Sequence, residues 1–142
     1  MPHDPARVAD TKAWLSRAAT DLRAAALDLA GEPPVLDDLV FHCQQAVEKA
    51  MKSLLTWHDE PFGKTHNLEP LGEACLRLDS SLRLLVDRAV PLTEYAPPVV
   101  VPPPPSIVDQ SMEYCAWAAA ESSVSTSADI AVLVCRPLGS DL

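Results

Sequence analysis

The sequence predicts an all-α protein, an up-and-down antiparallel bundle of four to five helices. Three observations carry that expectation. Ala and Leu dominate a composition with only 4 Gly and 5% aromatic residues, which lacks the β-branched runs and turn glycines of a sandwich or barrel. The long apolar patterns all repeat with the helical period. Short connectors separate them, and short connectors make successive helices antiparallel. At 142 residues, 48% hydrophobic and 22% charged, the chain has the size and mix of one globular domain, expected to span 1–142.

The first helix is expected over about 10–30. Leu15, Ala18, Leu22, Ala25 and Leu29 fall three and four apart, and Trp14 and Ala19 widen their stripe. Asp10 is its expected N-cap. Gly31 ahead of Pro33-Pro34 is its stop, the glycine taking a left-handed cap. The second helix opens on Asp37-Asp38, where the helix dipole favours negative charge. Leu36, Val40, Cys43, Val47, Ala50 and Leu54 line one face, flanked by Leu39, Ala46, Met51 and Leu55. His42, Gln45, Glu48, Lys49 and Lys52 make the other, and Glu48 and Lys52 stand i,i+4 in the favourable order. Trp57 closes this helix before a loop, 58–66, holding Pro61 and Gly63.

A third, shorter helix uses Leu68, Leu71, Cys75 and Leu78, with Pro70 tolerated in the first turn. Asp79-Ser80-Ser81 reads as connector and cap. Leu82, Leu85, Val86 and Ala89 give a fourth stripe, which Pro91 should end or kink, leaving Leu92-Thr93-Glu94-Tyr95 as an exit. Residues 97–105 hold six prolines and three valines, which predicts polyproline II, as a stiff linker or as a ligand for an aromatic groove. Ser106 caps a fifth helix with Val108, Met112, Cys115 and Ala119 in phase, weakened by the serines at 122–127. Residues 139–142 read as a disordered tail.

Eleven Lys and Arg against 20 Asp and Glu give a net charge of −9 and a pI near 4.7, a poor field for duplex DNA. The Met-Pro-His-Asp-Pro start leads into no apolar run, no stretch is long enough to span a membrane, and Cys43, Cys75, Cys115 and Cys135 are scattered without a CxxC. The expectation is a cytoplasmic protein with buried, reduced thiols. Nothing matches a dinucleotide fingerprint, P-loop, HExxH, GxSxG or EF-hand. His58-Asp59-Glu60 near His66 could meet a divalent ion only if the loop folded back; a solvated loop is the expectation, with no metal, no cofactor and no catalytic residue assigned.

One string stands apart: Phe41-His42-Cys43-Gln44-Gln45-Ala46-Val47-Glu48-Lys49-Ala50-Met51-Lys52-Ser53-Leu54-Leu55, followed by Lys64-Thr65-His66-Asn67-Leu68. It resembles the HEPN family (higher eukaryotes and prokaryotes nucleotide-binding domain), whose pattern FHxQQAxEKALKxLL precedes a T-H-D/N-L segment. Trp14 with Asp21-Leu22, and Leu92-Thr93-Glu94-Tyr95-Ala96, extend the resemblance over about 10–96. It implies a nucleotide-associated module, often a homodimer working beside a small nucleotidyltransferase.

Two departures bear on activity. HEPN ribonucleases carry Arg, four to six residues, then His; no Arg here is followed by His at that spacing. Nor does Glu94-Tyr95-Ala96 continue into the Arg-Tyr-Pro of many relatives. The resemblance therefore implies a non-catalytic nucleotide- or partner-binding module. A ribonuclease with displaced residues such as His42 or His66, and a purely structural dimerisation domain, stay open beside it. Lys49 and Lys52 are three apart on one helix face, and Lys64 and His66 lead into a helix N-terminus, whose amides favour phosphate. With Gln45 they form the candidate nucleotide site, the alternative being a solvated face tied up by Glu48. From Ala89 to the end there are six acids and one base, Arg136, so any phosphate-binding surface belongs to the first three helices and the loop at Lys64.

Overall fold

The computed structural model describes residues 4–96. The fifth helical pattern, the 97–105 prolines, the 139–142 tail, Cys115 and Cys135 lie outside the described residues. Within them the chain forms α1 (Pro5–Ala30), α2 (Leu36–Trp57), α3 (Leu68–Leu78) and α4 (Arg83–Ala89), with 3-10 turns at Ser80–Leu82 and Val90–Tyr95 and no strand among the described residues. The all-α expectation holds.

α1 begins a turn and a half before the expected start. Asp4, not Asp10, is the N-cap, its carboxylate accepting from the Ala6 amide, and Pro5 occupies the first helical position, where its missing N–H costs nothing. Apolar phase alone could not find this turn, because its residues are mostly exposed. Gly31 ends α1 as expected but in extended, not left-handed, backbone (φ −64°, ψ 153°). Its lack of a side chain serves close approach instead: a Cβ there would stand 3.2 Å from the Pro33 carbonyl oxygen. The turn that follows contains a cis Glu32–Pro33 peptide.

α2 is the axis of the molecule. On one side Val40, Val47, Met51 and Leu55 join Leu68, Leu71, Ala74 and Cys75 of α3, then Leu82, Leu85, Val86, Ala89, Leu92 and Tyr95, in one core. On the other side α1 runs antiparallel to it. Ala25 meets Leu39 and Cys43, and Ala18 meets Ala50; small residues let the two backbones approach. Ala19, expected to widen the α1 stripe, is exposed, and Thr11 and Asp21 take buried places in it. The Leu92–Tyr95 exit is likewise no exit: both of these side chains are buried, because the 3-10 turn after Pro91 folds back onto α2 and α3.

Three short-range devices fix the loop between α2 and α3. Asp59 adopts left-handed backbone (φ 59°), its amide bonds Thr56 O and that of Glu60 bonds Leu55 O at 2.9 Å. This is a Schellman closure with an acidic residue in the usual glycine position. Asn67 caps α3 by accepting from the Glu69 amide, and Thr65 Oγ1 accepts from the Asn67 amide, both at 3.0 Å. Thr93 Oγ1 then takes the Leu68 amide at 3.0 Å, joining the Leu-Thr-Glu-Tyr segment to the start of α3. Cys43 and Cys75 are buried and unbridged.

Candidate functional site

Gln44, Glu48 and Lys52 follow one another at i,i+4 along α2 and are all buried; Glu48 is 3% and Lys52 6% exposed. A carboxylate so far from water survives only with partners. Lys52 Nζ donates to it at 2.7 Å, Gln44 Nε2 at 3.3 Å and His66 Nδ1 at 3.0 Å. Burial pushes the Glu48 carboxyl up, but the hydrogen bonds from Lys52 and His66 outweigh it and hold the group below its ordinary range. Glu48 is therefore an anion, and a carboxylate only accepts. The His66 proton facing it sits on Nδ1.

The same side chains fasten the loop. Gln44 Nε2 donates to the His66 carbonyl at 3.0 Å and Lys52 Nζ to the Thr65 carbonyl at 3.1 Å. The Lys52 ammonium also lies 5.4 Å from the Trp14 ring centre and 5.8 Å from that of Phe62, and the two rings meet edge-to-face at 6.1 Å. Two aromatic faces and a carboxylate together replace its water. Arg17 stacks on Trp14 at 5.6 Å. His66 alone of the hub reaches solvent, its side chain 60% exposed, with Nε2 on the ring edge away from Glu48.

A second polar cluster sits on the α1 side of α2. Lys49 pairs with Asp21, whose other oxygen is 3.3 Å from His42 Nδ1; His42 Nε2 stands 3.9 Å from Asp28. Burial raises the Asp28 carboxyl above its ordinary range, His42 opposes this and Asp38 adds to it. These contacts lie across the α1–α2 seam beside the small-residue approaches at Ala18, Ala25 and Ala50, and they help fix the register of α1 on α2.

The five candidate residues are thus not one cluster. Lys52 and His66 share Glu48. Lys49 faces Asp21 on α1. Gln45 Nε2 donates to Gln44 Oε1 at 2.7 Å, at the edge of the hub. Lys64 is exposed in the loop. The polar face of α2 is not a solvated one: α1 covers one edge and the 58–67 loop the other. Sequence reasoning missed Gln44, Phe62 and the burial of Glu48. The available signal was the Gln44–Glu48–Lys52 spacing on a helix apolar around most of its circumference, which leaves little face for water. Among the described residues no three His, Cys, Asp or Glu side chains gather as a metal needs; Asp59 pairs with Arg7 at 2.8 Å and Glu60 with Arg77 at 3.7 Å. No helix among them is long and apolar enough to cross a membrane.

A family model of the HEPN domain matches residues 11–120. Comparison with curated proteins and with solved structures found no match.

Proposed function

The chain belongs to the HEPN domain family, and on that premise we propose that it is a non-catalytic nucleotide- or partner-binding module, a homodimer acting beside a small nucleotidyltransferase. The observation that supports this reading is the family match over residues 11–120, and the Glu48 hub narrows where contact can fall. It commits Lys52 and one nitrogen of His66 to internal structure, and Asp21 commits Lys49 in the same way. Phosphate contact then falls to Lys64 and the outer edge of His66; the expected amides at the N-terminus of α3 are already taken by Thr65, Thr93 and Asn67. Lys52 supports this surface from within through the Thr65 carbonyl. Lysine is a mobile point charge, so the affinity is modest and salt-sensitive.

One observation favours a second reading. A histidine held by a buried carboxylate, its far nitrogen exposed, is how a general base is oriented, so a ribonuclease built on His66 is the rival. Thermal unfolding with a panel of nucleotides, paired with an RNA cleavage assay, separates the readings. A site filled at about 100 times its dissociation constant adds about 2.7 kcal/mol, and Lys64→Ala with His66→Ala should abolish that gain. Cleavage of RNA that disappears with His66→Ala alone would select the enzyme. No nucleotide effect and no cleavage would leave a module that binds protein only.

A further inference from the structure

With the ion pairs assigned, Lys12, Arg17, Arg23 and Lys64 are the exposed lysines and arginines that have no acidic partner among the described residues. Lys12 and Arg23 fall on the opposite side of α1 from Trp14. Arg17 and Lys64 do not. The Arg17 guanidinium carbon lies 5.6 Å from the Trp14 ring centre. Trp14 meets Phe62 edge-to-face at 6.1 Å, and Lys64 follows Phe62 by two residues.

Arg17 is poised as well as exposed. The stack on Trp14 orients a planar fork of five donors, and a guanidinium bonded to no carboxylate keeps that fork for a ligand. Its neighbours three and four residues away on α1 are Ala13, Trp14, Thr20 and Asp21. Asp21 is already taken by Lys49 and His42. Asp10, the next acid along that side of α1, stands about 10 Å away down the axis. Along this edge Arg17, Lys49, Lys52 and Lys64 face only Asp21 and Glu48, on a chain whose net charge is −9. A local positive excess on an acidic chain concentrates anions at that edge.

We propose that Arg17 is a further phosphate contact of the module, and that Arg17 and Lys64 hold different phosphates of one ligand. The Trp14–Phe62 pair stands between them, a wider gap than two oxygens of a single phosphate bridge. The ligand is therefore a nucleotide with linked phosphates, a nucleoside triphosphate or an oligonucleotide, rather than a mononucleotide. Arg17 grips its phosphate through two parallel N–H donors, and Lys64 and His66 Nε2 meet the next one. The inference rests on the nucleotide reading proposed above and extends that surface onto α1.

Calorimetric titration of the full chain at low salt with AMP, ATP and a single-stranded oligonucleotide tests it. ATP or the oligonucleotide should bind at least tenfold more tightly than AMP; either source supports the proposal, and the comparison identifies which. Arg17→Met keeps a stem over Trp14 and removes the charge. It should weaken that binding about tenfold and flatten its salt dependence, without moving the denaturant midpoint of the free chain. Arg17→Lys should fall between the two, since the charge stays and the fork is lost. If Arg17→Met binds within twofold of the natural chain while Lys64→Ala with His66→Ala abolishes binding, the Arg17 contact is overturned and the nucleotide reading stands. AMP binding as tightly as ATP and the oligonucleotide overturns the claim of linked phosphates. Binding of none of the three by the natural chain removes both this inference and the reading beneath it.

Discussion

Glu48 shows how one carboxylate can organise both a fold and a candidate site. Lys52, Gln44 and His66 all donate to it, and through them it holds the backbone of Thr65 and His66. Removing its charge leaves Lys52 buried and unpaired, so Glu48→Gln should cost about 3–5 kcal/mol in urea unfolding at neutral pH. Glu48→Leu with Lys52→Met, which removes both charges, should cost much less. The pH dependence has a definite sign. The carboxyl is held below its ordinary range when folded, so its contribution is full above the unfolded value. It is lost as pH falls through the lower, folded one. Unfolding free energy measured from pH 5 downward should therefore fall less steeply for Glu48→Gln than for the natural chain. The thiols behave oppositely: burial pushes Cys75 up to about 12, so at pH 8 it should resist alkylation until the protein is unfolded. The Glu48–Lys52 pair was legible as an i,i+4 spacing in the sequence. Its burial was not, because Phe62 and Thr65 cover it from a loop whose path no local pattern specifies.

At the level of elements, the sequence placed α2 and α3 well because both ends of each carry a local signal. Asp37-Asp38 open α2, and Pro70 falls in the first turn of α3, whose Asn67 cap only the structure reveals. α1 was misjudged at its start, since Asp4-Pro5 is a cap without an apolar stripe behind it. The 3-10 turn at Val90–Tyr95 was misjudged because Pro91 marks a break but not the direction taken afterward. Gly72 in α3 is the sharpest test of the packing between α3 and α4. A Cβ at that position would lie 2.5 Å from Val86 Cγ1, so the two helices touch where one has no side chain. Gly72→Ala should destabilise by about 1–3 kcal/mol despite the better helix propensity of alanine, because overpacking dominates. Adding Val86→Ala should return most of that loss, measured as a coupling energy between the two sites. If Gly72→Ala proves stabilising, the helices are farther apart than this packing requires.

For the molecule as a whole, charge decides how any self-association must work. Each chain carries a net charge of −9, so two copies repel one another at long range. The internal ion pairs already engage Lys49, Lys52 and Arg7, and among large apolar side chains Leu27, Val35 and Leu36 remain exposed around the α1–α2 turn. A homodimer of this chain is therefore expected to be held by apolar contact against electrostatic opposition. Salt shortens the range of that repulsion to about 10 Å at 0.1 M and about 3 Å at 1 M, while leaving apolar burial in place. Sedimentation equilibrium at micromolar concentration should give twice the 15.3 kDa chain mass, and the association should tighten as sodium chloride is raised. A dimer joined by ion pairs would loosen under the same change. A species of 15.3 kDa alone at every salt concentration would remove the homodimer from the proposed function, and would leave the nucleotide surface around Lys64 and His66 to be tested as the property of a single chain.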